Sequence, residues 1–198
     1  MGEPRAQAGA PAMTADRARS IVGDSEGRPE NDFYPTNDEY TQAMLDRVTF
    51  QGAILEPACG EGDMVMSLRK RGYKVVASDI VDYGFDGARS GLDFLTLSDS
   101  VRVPNVVTNP PFKIAMEFAR KATTIATGKV ALLCKIQFLA GVKRAVMHQE
   151  THLTKVYVFP YRPKFGRNGE IYKNGGMIDF AWYIWEKGYV GDPTVHWL

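Results

Sequence analysis

Apolar residues fall along this chain in two rhythms, short unbroken runs and stripes at helical spacing, and their alternation begins near Asn31. Before it, residues 1–30 are rich in Ala, Gly, Pro, Arg and acidic side chains, with Ile21 and Val22 as their only β-branched aliphatics. Such a segment buries too little apolar surface to offset the entropy of ordering it, so it reads as a flexible tail before one domain over 31–198. Thr36 to Arg47 sets Tyr40, Met44 and Leu45 at helical spacing, which predicts a short amphipathic helix. AILEP (53–57) is an apolar strand, Gly62 to Arg71 carries Val65, Met66 and Leu68 over one helical face until Gly72 stops it, and KVVASD (74–79) is a second strand. The pattern repeats with strands DFL (93–95) and VVTN (106–109), a helix from Ala115 to Ala126 ended by Gly128, the strand KVALLCKI (129–136) and a further helix around 138–147. Two aromatic strands, KVYVFP (155–160) and MIDFAWYIWE (177–186), follow with no helix between them.

Strands alternating with helices of about ten residues predict a parallel sheet covered by helices on both faces. The last two strands suit an antiparallel hairpin at the sheet edge, joined by a long loop. The expected fold is therefore α/β, with seven strands, mostly parallel. At 198 residues, 44% hydrophobic and 24% charged, the chain supports one sizeable core. No apolar run approaches the roughly 18 to 20 residues needed to span a bilayer, and no apolar stretch follows a basic segment at the N-terminus, so a cytoplasmic protein is expected. A formal net charge of +1 excludes a surface coated for nucleic acid, so any such partner must be held by a local patch. Cys59 and Cys134 lie far apart without metal-ligand spacing, which predicts neither a disulfide nor a zinc site, and no metal is expected. Both read as small buried thiols, His148, His152 and His196 as surface residues, and Trp182 and Trp185 as core and edge of the last strand.

Candidate chemistry sits at the strand ends. In LEPACGEGDMV (55–65), Gly60 and Gly62 let a ligand approach the backbone at the carboxyl end of the first strand, where open α/β sheets bind their ligands. The position at which a dinucleotide fingerprint needs its third glycine is Val65, which argues against NAD and FAD. Asp79 ends the second strand 17 residues after Gly62, placed to hydrogen-bond ribose hydroxyls; a helix cap or solvated turn is the competing account. In PNVVTNPPFK (104–113), a β-branched run stops on Asn109, Pro110, Pro111 and Phe112, which by itself also suits an ordinary turn.

Together these residues resemble the class I S-adenosylmethionine-dependent methyltransferases, in particular the N6-adenine type. EPACGEGD is similar to the family's first cofactor motif, ASDI to its second, DFL to its third and NPPF to its catalytic fourth, while FYPTNDEYTQAML resembles the motif preceding the first strand. The resemblance covers about residues 31–187, and the order of motifs is that of one of the permuted DNA-methyltransferase groups. It implies a Rossmann-like fold, S-adenosyl-L-methionine as cofactor, and the following roles. Glu56 would accept from the methionine ammonium, with Pro57 and Ala58 in the same turn, Gly60 and Gly62 giving room, and Thr36 helping to hold the carboxylate. Asp79 would take the ribose hydroxyls, Ile80 would pack on the adenine, and Asp93 would accept from its amino group beside Phe94. One departure is that the family often has Thr-Pro where this chain has Thr36-Asn37.

The resemblance makes Asn109, Pro110 and Phe112 catalytic. An exocyclic amine is a poor nucleophile because its lone pair is delocalised, and two acceptors aimed at its N–H groups, the Asn109 side-chain oxygen and the Pro110 carbonyl, would favour the pyramidal geometry of the transition state. Pro110 and Pro111 stiffen that segment, and Phe112 would stack on the target base. The implied substrate is DNA adenine N6 with little sequence specificity, as in small enzymes carried by phages; an RNA base or a protein glutamine amide is the alternative, and a catalytically silent cofactor- or DNA-binding module is a third reading. The loop YRPKFGRNGEIYKNGG (161–176) offers Arg162, Lys164, Phe165, Arg167 and Lys173 against one acid, Glu170, as a substrate-binding segment, with a solvated hairpin loop as the competing account.

Overall fold

The structure is a computed structural model that describes residues 34–164 and 178–198, together with the backbone of Gly166–Arg167 and Glu170–Ile171. Helix α1 (Asp38–Leu45) precedes strand β1 (Ile54–Glu56), helix α2 (Asp63–Lys70), β2 (Val75–Ser78) and the two-residue β3 (Ala88–Arg89). Then come β4 (Asn105–Thr108), α3 (Ala115–Ile125), β5 (Lys129–Lys135), α4 (Val142–Glu150) and β6 (Leu153–Val158). The small pair β7 (Gly166–Arg167) and β8 (Glu170–Ile171) is followed by β9 (Phe180–Glu186) and β10 (Thr194–Trp197). The main sheet has eight strands in the order β10-β6-β9-β5-β4-β1-β2-β3.

Alternation along each central strand sends neighbouring side chains to opposite faces. In β5, Val130, Leu132 and Cys134 pack with Phe118, Ala119, Ala122 and Ile125 of α3, while Ala131 and Leu133 pack with Tyr40, Met44 and Leu45 of α1 and Met64 and Leu68 of α2. In β9, Ala181, Tyr183 and Trp185 take the first side and Phe180, Trp182 and Ile184 the second. Both faces of these strands are buried, which explains why their sequences read as nearly unbroken apolar runs.

Three expectations are revised. DFL is not a strand: Phe94–Thr96 forms a 3-10 turn, capped by the Asp93 carboxylate accepting from the Leu95 N–H at 2.9 Å. The third strand is instead Ala88–Arg89, and Thr194–Trp197 adds an eighth. The expected antiparallel hairpin is present as β6 and β9, but it is not the outermost part of the sheet: β9 lies between β5 and β6, antiparallel to both, and β10 pairs parallel with β6 outside it. The expected tail, residues 1–30, lies outside the described residues, as does most of the loop 161–176.

The chain leaves β1 toward β2 and β3 on one side and later returns to β4 and β5 on the other, so a topological switch point lies between β1 and β4. At the opposite end of these strands, the buried Asn105 donates from Nδ2 to the carbonyls of Gln51 (2.7 Å) and Ala53 (3.2 Å) and accepts at Oδ1 from the Lys129 N–H (3.0 Å). One side chain thus fastens β4 to the segments entering β1 and β5. Asn105→Ala should lower unfolding free energy by about 1–3 kcal/mol because these backbone groups lose their partner, measurable as a lower urea midpoint at unchanged slope.

Candidate active site

Glu56, the last residue of β1, reaches the switch point almost fully shielded from solvent. Its Oε1 accepts from the Thr108 hydroxyl at 2.7 Å, across from the end of β4, and from the Ala58 N–H at 3.3 Å. Its Oε2 is buried and has no hydrogen-bond partner among the described residues. Burial pushes the carboxyl up to about 8, helped by the nearby Asp79 and opposed by the bonds from Thr108 and Ala58. A half-satisfied buried carboxylate is costly, and a cationic ligand group would satisfy it.

The glycine-containing turn after β1 is held by Asp79. Its Oδ2 accepts from the Gly60 N–H and its Oδ1 from the Val81 N–H, each at 2.9 Å, so the acid both ends β2 and fixes the loop. Gly62 has φ +91, and a Cβ there would sit 2.3 Å from the Phe85 ring, so the ring packs where only glycine leaves space. Cys59, in the same turn, is a buried thiol pushed up to about 12, foremost by burial and then by Glu56 and Asp79. Cys134 is likewise buried and shifted upward, so burial favours the thiol over the thiolate at both.

Asn109 follows β4 directly. Its Nδ2 donates to the Tyr34 carbonyl (3.3 Å) and to the Thr36 hydroxyl (3.1 Å). A carbonyl can only accept, so this pair fixes which end of the amide points which way. The Oδ1 is left buried with no partner among the described residues. Thr36 is thereby tied to Asn109, a contact that the sequence did not suggest, while also lining the cleft.

One cleft of about 760 Å³ gathers most of the candidates: Thr36, Glu56, Pro57, Ala58, Asp79, Ile80, Asp93, Phe94, Asn109 and Pro111. Glu56, Asp63, Asp79 and Asp93 put four acids on its walls against no Lys or Arg. Ile80 is 58% exposed, an apolar surface suited to a flat ring, with Tyr83 and Leu92 nearby on the same wall. Gly60, Gly62 and Pro110 are buried and are not among the residues that line it. Phe112 is not part of its lining. It stacks on Tyr34 at 5.4 Å with a 23° tilt, meets Phe180 at 5.6 Å, and has the Lys135 ammonium 4.9 Å from its ring centre.

Thr108, Tyr34, Tyr83 and Asp63 were missed from sequence. Thr108 was legible in principle, since a hydroxyl on the strand beside β1 stands within reach of an acid ending β1. Arg162 is exposed and paired with Asp179 at 3.0 Å. The Lys164 side chain is exposed, while its backbone N–H donates to the Tyr40 hydroxyl at 2.7 Å. Phe165 and the Arg167 and Lys173 side chains lie outside the described residues. Trp182 is core, as expected, whereas Trp185, expected at the edge of the last strand, is also buried, on the interior strand β9; nor is His148 at the surface: it is buried, bonded through Nε2 to the Phe138 carbonyl (2.9 Å) and parallel to the Tyr183 ring. Among the described residues no group of His, Cys, Asp and Glu could hold a metal ion, and no helix is long and apolar enough to cross a membrane.

No protein-family model matches the sequence, and no curated protein matches it. Solved structures do. A protein assigned as the modification subunit of a type I restriction enzyme from Vibrio vulnificus aligns with 92% of this chain at 14% identity and TM-score 0.57. This chain spans 49% of that longer one, about half its length. A protein assigned as an RNA methyltransferase from Pyrococcus horikoshii aligns with 89% of this chain and 99% of its own, at 15% identity and TM-score 0.62. Another, assigned as a class I S-adenosylmethionine-dependent methyltransferase from Listeria monocytogenes, aligns with 92% of this chain and 71% of its own, at 14% identity and TM-score 0.60. The likeness is one of fold, and the fold is that of class I methyltransferases.

Glu56 generates a pH signature. Its carboxyl rises from 4.5 to about 8 on folding, so between these values the folded protein holds a proton that the unfolded chain has released. Stability of the protein alone should therefore fall as pH rises through that interval, by at most about 1.4 kcal/mol per pH unit. Glu56→Gln should flatten the profile. Urea midpoints measured across the interval for both proteins check this; parallel profiles would show that Glu56 is solvated.

Proposed function

We propose that the chain is an S-adenosylmethionine-dependent methyltransferase that modifies an exocyclic amine of a nucleic-acid base, with adenine N6 in DNA as the leading substrate. The observation that carries this reading is a pair of buried acceptors without partners among the described residues, Glu56 Oε2 and Asn109 Oδ1, on the walls of one acid-lined cleft. The first suits an ammonium, the second an amine N–H. The donor set fits the cofactor: Glu56 would hold its ammonium, Asp79 its ribose, and Ile80, Asp93 and Phe94 its adenine ring. When bound, that cofactor supplies a methyl group already activated on a sulfonium.

The chain's own part is to prepare the acceptor amine. Asn109, anchored through Nδ2 by Tyr34 and Thr36, is left with its carbonyl-type oxygen unpartnered among the described residues, and that oxygen would accept from the amine. An acceptor fixed in advance draws the amine hydrogens out of the base plane and restores a lone pair, which favours the pyramidal transition state over the planar ground state. Pro110 and Pro111 hold the following backbone rigid. No general base is needed to start the reaction, because the proton is acidic once the nitrogen has become an ammonium.

Two of the structural neighbours support nucleic acid as the substrate class, one assigned as a restriction-enzyme modification subunit and one as an RNA methyltransferase. The second makes an RNA base the alternative. Low sequence specificity is part of this reading, since the described residues form one main sheet with its covering helices and include no separate base-reading unit. Incubation with radiolabelled cofactor and, separately, duplex DNA, single-stranded DNA, RNA and cell lysate tests the reading, followed by identification of the labelled nucleoside or amino acid. Label in 6-methyladenine from DNA is expected; label confined to protein overturns it.

Asn109→Ala should reduce single-turnover rate by about 100-fold or more, with cofactor affinity nearly unchanged. Asn109→Asp keeps an oxygen in the cleft and can accept from the Thr36 hydroxyl, but sets a carboxylate oxygen against the Tyr34 carbonyl, so it should fall between wild type and Ala. Thr36→Val, which removes one anchor of the amide, should cost roughly 2- to 10-fold in rate, with Thr36→Ser restoring it. Rates at saturating cofactor check all three; a wild-type rate in Asn109→Ala would reduce this segment to a turn.

A further inference from the structure

The segment Asn109 to Phe112 has a cavity on each side of it. Asn109 and Pro111 line the acid-walled cleft; Phe112 lines a second cavity of about 460 Å³ that shares none of the first one's residues. The charge of the two is opposite. The first carries four acids and no Lys or Arg, whereas the second is lined by Lys113, Lys135 and Arg144 with no Asp or Glu. These cations come from three elements: the turn after β4, the end of β5 and α4.

The geometry suits a negatively charged ligand. The Lys135 ammonium lies over the Phe112 ring, which also stacks on Tyr34 and meets Phe180, so the ring holds a cation at this cavity. Arg144 is held in place by its own Nη1, which donates to the carbonyls of Gln137 (2.7 Å) and Ala140 (3.0 Å), and this orients the guanidinium at the cavity. Lys113 is exposed and makes no ion pair among the described residues. Gln137, also exposed, adds an amide able to donate and accept. In a chain whose formal net charge is +1, such a one-signed cavity is a local arrangement.

We propose that the cavity formed by Phe112, Lys113, Lys135, Gln137 and Arg144 is the seat of a polynucleotide strand, with the cations binding phosphates beside the nucleotide to be modified. This rests on the methyltransferase reading and narrows it: a peptide carrying a glutamine has no obligatory negative charge next to its amide, whereas a nucleotide always does. The asymmetry has a physical use. A cationic cofactor and a polyanionic substrate are each drawn to their own side of one wall, and each side's charge disfavours the other ligand. Phosphate contacts position without reading sequence, which agrees with low specificity.

A fluorescent, mixed-sequence single-stranded oligodeoxynucleotide is the probe, with binding followed by anisotropy as salt is raised. Each lost phosphate contact should reduce the magnitude of the log–log salt slope by about 0.7 and weaken binding about fivefold at 0.1 M salt. Lys113→Gln should show one such loss and Lys113→Glu a larger one; the side chain is exposed, so both variants should fold. S-adenosylmethionine affinity, measured by calorimetry, should stay at the wild-type value. An unchanged slope in both variants, or wild-type binding of a glutamine peptide without oligonucleotide binding, overturns the phosphate seat. Absence of cofactor binding in the wild type would instead overturn the methyltransferase reading itself.

Discussion

A hydrogen bond from the Thr108 hydroxyl to Glu56, 2.7 Å long, anchors the end of the sheet at which the cleft lies. It joins the ends of the two strands between which the chain changes direction, and it does so with a carboxylate that has almost no solvent. Placing a charge there is expensive, so the group holds its proton until something positive arrives. The glycine turn, the Asp79 tie to Gly60 and the packing of Phe85 under Gly62 all fix the backbone around that carboxylate. The burial of this carboxyl is thus set by the sheet topology before any loop is considered.

Asn109 depends on the same arrangement. It follows Thr108 directly, so the residue that clasps Glu56 also sets where the amide begins. What then decides the amide's orientation comes from far away in sequence: the Tyr34 carbonyl and Thr36 hydroxyl, in the segment leading into α1. Tyr34 further stacks on Phe112, so one short stretch braces both ends of the Asn109 to Phe112 wall. The wall is rigid because it is gripped from outside as well as stiffened by its prolines.

Much of this was legible in the sequence because the informative residues are neighbours. Glu56 with its glycines, Asp79 with Ile80, Asp93 with Phe94 and the Asn109 segment each form a compact signal, and each contributes to one cleft. What escaped was what folding alone brings together. Lys113, Lys135 and Arg144 are single cations scattered over thirty-odd residues, with nothing in their spacing to announce a shared cavity. DFL looked like a strand because its apolar residues are few and unpatterned, while the deciding feature was the Asp93 carboxylate capping a turn. The strand Thr194–Trp197 is exposed along its length and so lacks the apolar run that betrays a buried one. His148 looked like a surface residue because a lone histidine on a polar helix carries no sign of the aromatic rings awaiting it on β9.

The position of β9 governs the order in which the molecule can be completed during synthesis. Residues 180–186 are made after β6, yet they occupy the slot between β5 and β6. Until they emerge, β5 ends the sheet with an open edge and β6 has no neighbour through which to join it. The nascent chain therefore carries unpaired strand edges flanked by apolar side chains, a state prone to pairing with other chains. Closure depends on contacts distant in sequence, such as Trp182 Nε1 donating to the Tyr40 carbonyl at 3.0 Å, a separation of 142 residues. A protein built this way should complete its sheet late and nearly all at once, and with it the packing of Phe112, which Phe180 of that inserted strand meets.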